Sequence, residues 1–272
     1  MTRITSYRYP NEEWILAGSV ILVLVVAALA AGVSFCLVPV FFLVFVLIAY
    51  WLNRSNHNSL MQSGQPVSPE RTPNLARIKQ ACLDRLHPGQ VNVFVVRSSQ
   101  LNAYTFGFNS PQDIVLYSSL LDVMDEDELR FVLGHEMGHV ALGHTWLNTL
   151  LGGMAGVPVT VGAAVIVTLA FRWWNRACEY SADRAGLLAC GQPQKAISAL
   201  IKLVAGSVQS QAELQRALQV IEREDGSVLN QLGETLSTHP MIARRIEQIR
   251  KYAATAQYAQ LQAYVNGKAP LF

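Results

Sequence analysis

An uncharged apolar tract dominates the first part of the chain, from Trp14 to Leu52. Its 39 residues are about twice the 20 or so that one helix needs to cross a bilayer. Gly32 and Pro39 interrupt the tract near its middle, where residues of this kind favour a turn. The pattern therefore predicts a transmembrane helical hairpin with two short spans, Trp14 to Ala31 and Phe35 to Leu52.

Basic residues lie on both sides of this tract. Arg3 and Arg8 precede it, and Arg54 and Arg71 follow it, whereas the predicted turn has none. Because Lys and Arg next to membrane spans favour the cytoplasmic side, a hairpin would leave both the N-terminal tail, residues 1–13, and the remainder of the chain in the cytoplasm. A single span would instead put the remainder on the opposite side of the membrane.

A change to mixed hydrophobic patterns follows the tract. Residues Asn53 to Asn74 are polar and rich in proline, and they are predicted to form a linker. Residues 75–272 are predicted to form a mainly helical α+β domain that begins with a helix over Leu75 to Leu86. Three short strands are predicted next, over Val91 to Val96, Leu101 to Phe108 and Ile114 to Tyr117.

The following helix is predicted to run from Glu126 to His144. Asp125 is a suitable N-cap with Glu128 three residues later, as in a capping box. Gly138 lies inside this helix, where glycine costs about 1 kcal/mol relative to alanine, so we expect another segment to approach the backbone there. Further helices are predicted over Arg172 to Leu188, Gln194 to Val208 and Met241 to Val265.

The amino-acid composition supports the prediction of membrane segments and argues against several classes of function. The chain is 51% hydrophobic and only 15% charged, whereas soluble domains carry about 25% charged residues. A net charge of +2 with scattered basic residues argues against a nucleic-acid partner. The four cysteines form no CxxC pair, so neither a zinc ribbon nor a disulfide framework is indicated.

The chemistry centres on His135-Glu136-Met137-Gly138-His139, an HExxH motif. Histidines at i and i+4 lie on one face of a helix and can bind the same metal ion. Catalytic zinc generally has three protein ligands and one open position, so a third ligand is needed. A metzincin would have a histidine at position 145, which is Thr145, and we interpret the neighbouring His144 as a helix-end or structural histidine.

Glu179 is the natural candidate for the third ligand, and Asp183 lies one turn further along the same face. Two acidic residues at this spacing often form only a solvent-exposed helix face. An HExxH motif in the same chain favours a role at the metal site instead, because zinc-bound imidazoles need carboxylates behind them that fix their tautomer. Asp183 could have that role.

Together these residues resemble the M48 family of zinc metallopeptidases, which includes the membrane protease HtpX and the CAAX prenyl protease. The resemblance runs from Arg71 to Ile249. It rests on the HEMGH motif, on Glu179-Tyr180-Ser181-Ala182-Asp183, on Asn102-Ala103-Tyr104, and on Ser237-Thr238-His239-Pro240 followed by Arg245.

The resemblance implies a role for each matching residue. His135, His139 and Glu179 would bind one Zn²⁺, and Glu136 would be the general base that takes a proton from water and passes it to the leaving amine. Other residues are expected near the active site, where His239 and Arg245 could stabilise the oxyanion and Asn102, Ala103 and Tyr104 could bind substrate backbone as an extra strand. The alternatives are a helix cap for His239, a surface salt bridge for Arg245 and an ordinary edge strand.

A second uncharged tract, Trp146 to Phe171, is long enough for one membrane helix. If residues before and after it bind one metal ion, the chain has to return to the same side, and 26 residues cannot cross twice. We therefore expect a bent helical hairpin, packed in the core or dipping into the membrane.

The sequence as a whole predicts a zincin-like (gluzincin) endopeptidase anchored in the cell membrane. Its catalytic domain would face the cytoplasm and cleave polypeptides, with misfolded membrane proteins as possible substrates in quality control. The alternative is a membrane scaffold or chaperone of protease-like fold that binds zinc without turnover. A prenyl-peptide processing enzyme would need more membrane helices than this chain has.

Overall fold

A computed structural model of the protein describes residues 6–34, 37–151, 162–205 and 240–267. Numbered over these residues, the helices are α1 (Glu12–Ser34), α2 (Leu37–Met61), α3 (Pro73–Leu86), α4 (Ser118–Val123), α5 (Glu126–Leu142), α6 (Thr145–Leu151), α7 (Gly162–Cys190), α8 (Pro193–Ala205), α9 (Pro240–Ala253) and α10 (Ala256–Val265). The strands are β1 (Gln65–Pro66), β2 (Val91–Val96), β3 (Ala103–Phe106) and β4 (Gln112–Tyr117). The mainly helical α+β class is confirmed.

The four strands form one small mixed sheet in the order β1-β2-β4-β3. β4 is parallel to β2 and antiparallel to β3, and β1 is antiparallel to β2. Ile114, Val115 and Leu116 of the inner strand β4 are buried, as expected for a strand covered on both faces. β3 lies at one edge of the sheet, beside helices α5 and α6.

The two N-terminal helices pack against each other, and α1 also packs against α7. Within the described residues, one helical stretch, Glu12–Leu29, is long and apolar enough to cross a membrane, with a mean hydropathy of 2.1. Only 11% of that stretch is buried inside the protein. Large apolar side chains of α2 are exposed too, among them Val40, Phe41, Leu43, Leu47, Ile48 and Trp51.

The predicted linker, Asn53 to Asn74, is wrong in its first part because α2 continues to Met61. No glycine or proline occurs between Asn53 and Gly64 to end the helix. Contacts with the following domain also hold this extension, since Asn53 donates to the Thr149 carbonyl oxygen at 3.0 Å and the His57 ring stacks on Phe106. The segment attaches α2 firmly to the domain.

Helix α5 packs closely against α7, as Gly138 predicted. A Cβ atom at Gly138 would lie 2.6 Å from the Ala185 Cβ and 3.2 Å from the Ala182 Cα, and one at Gly134 would lie 2.5 Å from the Ala189 Cβ. Non-bonded contacts below 3.0 Å, such as those at 2.5 and 2.6 Å, are essentially never made by real Cβ atoms. Glycine is therefore required for the approach of the two helices.

Helix α5 begins with the predicted capping box at Asp125 and Glu128 but ends at Leu142, two residues earlier than predicted. Gly143 adopts a left-handed φ of 77°. The His144 N–H donates to the His139 carbonyl and the Gly143 N–H to the Val140 carbonyl, which is the bonding pattern of a Schellman motif. His144 consequently lies outside the helix, next to its last turn.

Two further helix predictions are corrected. Helix α7 begins at Gly162 rather than Arg172, because the apolar residues before Arg172 continue the helix. The helix predicted over Met241 to Val265 is divided into α9 and α10, since Thr255 caps a new helix by accepting from the Tyr258 N–H. The middle of the hairpin expected within Trp146 to Phe171, residues 152–161, lies outside the described residues.

Candidate metal centre

Three side chains from two helices meet at one point. His135 and His139 of α5 approach each other with their Nε2 atoms 3.2 Å apart. The Glu179 carboxylate of α7 lies 3.6 Å from His135 Nε2 and 3.5 Å from His139 Nε2. Tetrahedral zinc with bonds of about 2.0–2.1 Å separates its ligand atoms by about 3.4 Å. Two imidazoles and one carboxylate at these distances fit a zinc ion well.

The packing of α5 on α7 explains why Glu179 reaches the histidines. Gly138 precedes His139 directly, and the residue it packs on, Ala182, lies less than one turn after Glu179. His135 and His139 are buried, whereas the Glu179 side chain keeps 24% of its surface exposed. The close helix contact thus sets the ligand geometry and leaves one side of the site open to solvent.

Asp183 and Arg245 form a buried ion pair behind the ligands. Asp183 Oδ1 lies 3.0 Å from His135 Nδ1, the nitrogen that faces away from the metal site. Arg245 of α9 donates to both Asp183 oxygens, at 2.8 and 2.6 Å, and its third nitrogen lies 2.9 Å from a Glu179 oxygen. Because only 13% of the Arg245 side chain is exposed, this contact differs from the surface salt bridge that was the alternative for Arg245.

The acids of the site differ in their electrostatics. Burial raises the pKa of Glu136, against the attraction of His135 and His139, which suits a carboxylate that has to accept a proton. Burial also opposes ionisation of Glu179, but Arg245 and the histidines outweigh it and hold the pKa of that carboxyl well below its usual value. The Glu179 carboxylate is therefore charged at neutral pH.

His139 has a different neighbour behind it. Its Nδ1 lies 3.0 Å from Nδ1 of His144, and Nε2 of His144 lies 2.9 Å from Oε1 of Glu12. Glu12 is the first residue of α1, and its other oxygen accepts from the Ser181 hydroxyl. Glu12, His144 and Ser181 are all buried. A hydrogen-bonded chain therefore joins the N-terminal helix to the ligand set.

Comparison with known proteins decides the family. The sequence profile of Peptidase family M48 matches residues 69–253, which is more than half of the chain. The chain belongs to peptidase family M48. It is therefore a metalloprotease of the HtpX-like type whose substrates are polypeptides.

Known relatives of this M48 peptidase include plant and bacterial proteins. It is 29% identical to the plastoglobule-localized metallopeptidase 48 of Arabidopsis thaliana over 193 residues, which are 65% of this chain and 56% of the plant protein, so the match spans little more than half of that relative. It is 28% identical to the protease HtpX homolog of Ralstonia nicotianae over 73% of this chain and 80% of that protein. With the HtpX homolog of Burkholderia ambifaria it shares 24% identity over 93% of this chain and 99% of that protein.

The remaining predicted site residues of the M48 peptidase are distributed as follows. Ala103 and Tyr104 lie on edge strand β3, and Asn102 directly precedes it, where its carbonyl accepts from the Tyr117 N–H. His239 lies outside the described residues.

Sequence reasoning missed the contacts of His144 and Glu12. If the helix continued past Gly143, the His144 side chain would point away from His139. The helix ends before that residue, so the predicted direction of the His144 side chain was wrong. A glycine at that point was the available signal, since glycine commonly ends helices in the left-handed conformation. Nothing in the sequence pattern distinguishes Glu12 from the adjacent Glu13.

Proposed function

We propose that this chain is a zinc-dependent gluzincin endopeptidase. The observation that carries the proposal is the meeting of His135, His139 and Glu179 at ligand-like distances, with buried Glu136 on the same helix. When bound, zinc would supply a Lewis acid that polarises the scissile carbonyl and lowers the pKa of water. The metal is proposed as zinc because imidazole and carboxylate ligands in a three-ligand set are typical of catalytic zinc sites.

In this proposal each of four residues has a separate role in the reaction. Glu136 accepts a proton from the attacking water and delivers it to the leaving amine. Asp183 accepts a hydrogen bond from His135 and thereby fixes which imidazole nitrogen faces the metal. Arg245 holds Asp183 and Glu179 in place. His239 is proposed as the donor that stabilises the developing oxyanion.

The test compares wild type with Glu136→Gln. We expect one zinc ion per chain in both proteins by elemental analysis, with casein cleavage in wild type and a loss of at least about 100-fold in the variant. Glu126→Gln, at the exposed start of the same helix, is the matched control and should cleave as wild type does. A Glu136→Gln variant that cuts casein as fast as wild type would exclude the mechanism.

The same experiment addresses the second candidate, a zinc-binding scaffold or chaperone without turnover. Retained zinc in wild type, with no hydrolysis of casein or of any unfolded membrane protein, would favour the scaffold. Glu136 and the three candidate metal ligands are present together among the described residues, which favours the enzyme.

Membrane anchoring is part of the proposal. It is supported by the many exposed large apolar side chains of α1 and α2, since soluble proteins rarely expose large contiguous apolar patches. Glu12 at the start of α1 contacts His144, and His57 near the end of α2 contacts Tyr104. Because both ends of the helix pair are attached to the catalytic domain, a membrane-spanning pair would have to cross twice. The cytoplasmic side is proposed for the domain from the flanking basic residues.

Substrate is proposed to bind along β3. This strand is at an edge of the sheet and lies beside α5, which carries the HExxH motif. Main-chain hydrogen bonds to an edge strand give affinity without strict sequence selection. Such binding would suit a protease that removes misfolded membrane proteins of varied sequence.

A further inference from the structure

The two metal-binding histidines have outer partners of different origin. His135 contacts the Asp183 carboxylate directly, at 3.0 Å. His139 instead contacts His144, also at 3.0 Å, and the carboxylate of Glu12 lies on the far side of His144 at 2.9 Å. His139 therefore reaches a carboxylate through a second imidazole.

The hydrogen-bond directions along this chain are fixed by its two ends. Nε2 of His139 faces the ligand set, so a metal bound there leaves the ring proton on Nδ1. Nδ1 of His139 then donates to Nδ1 of His144, which has to be unprotonated at that nitrogen and carries its proton on Nε2. Nε2 of His144 donates to Glu12, whose second oxygen accepts from Ser181. Each donor has one acceptor, and the carboxylate terminates the chain.

The local backbone structure also fixes the positions of the residues in this hydrogen-bonded chain. The left-handed Gly143 turns the backbone so that the His144 N–H bonds to the His139 carbonyl at 2.9 Å. Glu12 lies at the first turn of α1, which packs on α7 through Ile15, Leu16 and Val23. The position of Glu12 is thus determined by the packing of the N-terminal helix.

We propose that Glu12, acting through His144, is a positioning residue for the metal ligand His139, so that the N-terminal helix completes the metal centre. The inference rests on the proposed zinc binding by His135, His139 and Glu179. Carboxylates that hydrogen-bond metal-bound histidines fix the tautomer and orientation of the ring, and their loss typically weakens metal binding about 10- to 100-fold. The helix proposed to anchor the protein then also contributes to metal affinity.

A second metal ion is the competing explanation for these residues. Glu12, His144 and Cys178 each offer a ligand atom, and these atoms lie within 4.8 Å of one another. The Glu12 to His144 distance of 2.9 Å is that of a hydrogen bond. Cys178 is fully buried among Leu147, Phe171 and Trp174, an apolar environment in which a cysteine behaves as a small hydrophobic residue.

The experiment measures zinc affinity by chelator competition on the purified full-length protein, together with zinc stoichiometry and the unfolding temperature of the metal-free form. The variants are Glu12→Ala, Glu12→Gln and His144→Ala. Arg8 lies 3.6 Å from Glu12 and 2.6 Å from the exposed neighbour Glu13, so Glu13→Ala is the matched control. Glu12→Gln keeps an acceptor of the same shape, so it provides a folded variant if Glu12→Ala does not fold.

We expect one zinc per chain in wild type and zinc binding at least about 10-fold weaker in Glu12→Ala and His144→Ala. Glu12→Gln should show a smaller loss, because it keeps the acceptor without the charge, and Glu13→Ala should bind within about twofold of wild type. The visible absorption spectrum of the cobalt-substituted protein should change in the Glu12 and His144 variants. Unchanged zinc affinity and cobalt spectra in Glu12→Gln and His144→Ala would overturn the inference while leaving the proposed function intact. Two zinc ions per chain, one of them lost in Glu12→Ala, would overturn it in favour of a second metal site. A wild-type protein that binds no zinc would overturn the proposed function and this inference together.

Discussion

Arg245 illustrates at the scale of a single residue how charge is balanced behind the proposed metal ligands. Two carboxylates, Asp183 and Glu179, lie close together beside the HExxH helix, and both contact this one guanidinium. Like charges in a buried place repel strongly unless a cation separates them. A planar guanidinium can bond two oxygens of Asp183 at once, which the ammonium of a lysine cannot do.

Replacing Arg245 should therefore destabilise the fold. In Arg245→Gln the buried Asp183 loses its partner, and we expect the free energy of unfolding of the metal-free protein to fall by about 3–5 kcal/mol. Arg245→Lys should be intermediate, because it keeps the charge without the bidentate contact. Urea unfolding followed by circular dichroism measures the change. Arg244→Gln, at the exposed neighbouring position, is the control and should stay within about 0.5 kcal/mol of wild type; an equally small effect of Arg245→Gln would contradict the role given to the ion pair.

How far single residues could be predicted depends on how local their contacts are. The pairing of His135 with His139 follows from helix geometry alone, since residues at i and i+4 share a face. Asp183 was recognised from its spacing to Glu179. The contact between Glu12 and His144 spans 132 positions and depends on how α1 packs on α7, which no local pattern determines.

At the scale of elements, the contact between α5 and α7 controls the distance from Glu179 to the two histidines. Gly134 and Gly138 on α5 face Ala189, Gly186, Ala182 and Ala185 on α7. Small residues on both helices let the two backbones approach, so the candidate ligands on the two helices come close enough to share one metal ion. The glycine in the HExxH motif is thus a packing residue.

Gly138→Ala tests this contact. Helix propensity alone would make the variant about 1 kcal/mol more stable, but the added methyl would meet Ala185 Cβ at 2.6 Å. We expect a net destabilisation of about 1–3 kcal/mol from overpacking. Zinc binding should also weaken, because the added methyl would push α7, and with it Glu179, away from the histidines. Thermal unfolding and zinc titration measure both effects.

Gly18→Ala is the matched control, since a Cβ there has no neighbour within 4 Å. That substitution should not weaken zinc binding. If Gly138→Ala were stabilised to the extent that propensity predicts and bound zinc normally, the close contact would not determine the ligand geometry.

The turn after α5 provides a second test at this scale. Gly143 has a φ of 77°, and a Cβ at this position would have no neighbour within 4 Å. Gly143→Ala therefore adds no clash but places alanine in the left-handed region, which costs about 1–2 kcal/mol. We expect lower thermal stability and weaker zinc binding, because relief of this strain would move His144 away from His139. Zinc affinity equal to that of wild type would show that the turn does not hold the histidine pair.

Element boundaries were predicted less well than element types. The capping box gave the start of α5 correctly because its signal lies within four residues. The extension of α2 to Met61 was missed because its polar residues resemble a linker, whereas contacts with Thr149 and Phe106 hold them in a helix. Tertiary contacts outweighed local composition there.

For the whole molecule, the attachment of both ends of the α1 and α2 pair to the catalytic domain has a topological consequence. The start of α1 is joined to His144, and the end of α2 to Thr149 and Tyr104. These contacts lie on one side of any membrane that the helices cross. The proposed hairpin therefore requires the segment between Ser34 and Leu37 to be on the side opposite to the metal centre.

Cysteine labelling in intact cells tests this arrangement with the full-length chain. Cys36 lies between the two helices in the sequence, while Cys82, Cys178 and Cys190 are buried and should react little. A membrane-impermeant maleimide should label wild type at Cys36 from outside the cell. The double variant Cys36→Ser/Ser63→Cys has its cysteine at the exposed turn after α2, and it should be labelled only after the cells are permeabilised. Labelling of both positions from the same side would contradict the hairpin, because α1 and α2 then could not each cross the membrane while their outer ends remain joined to the metal centre.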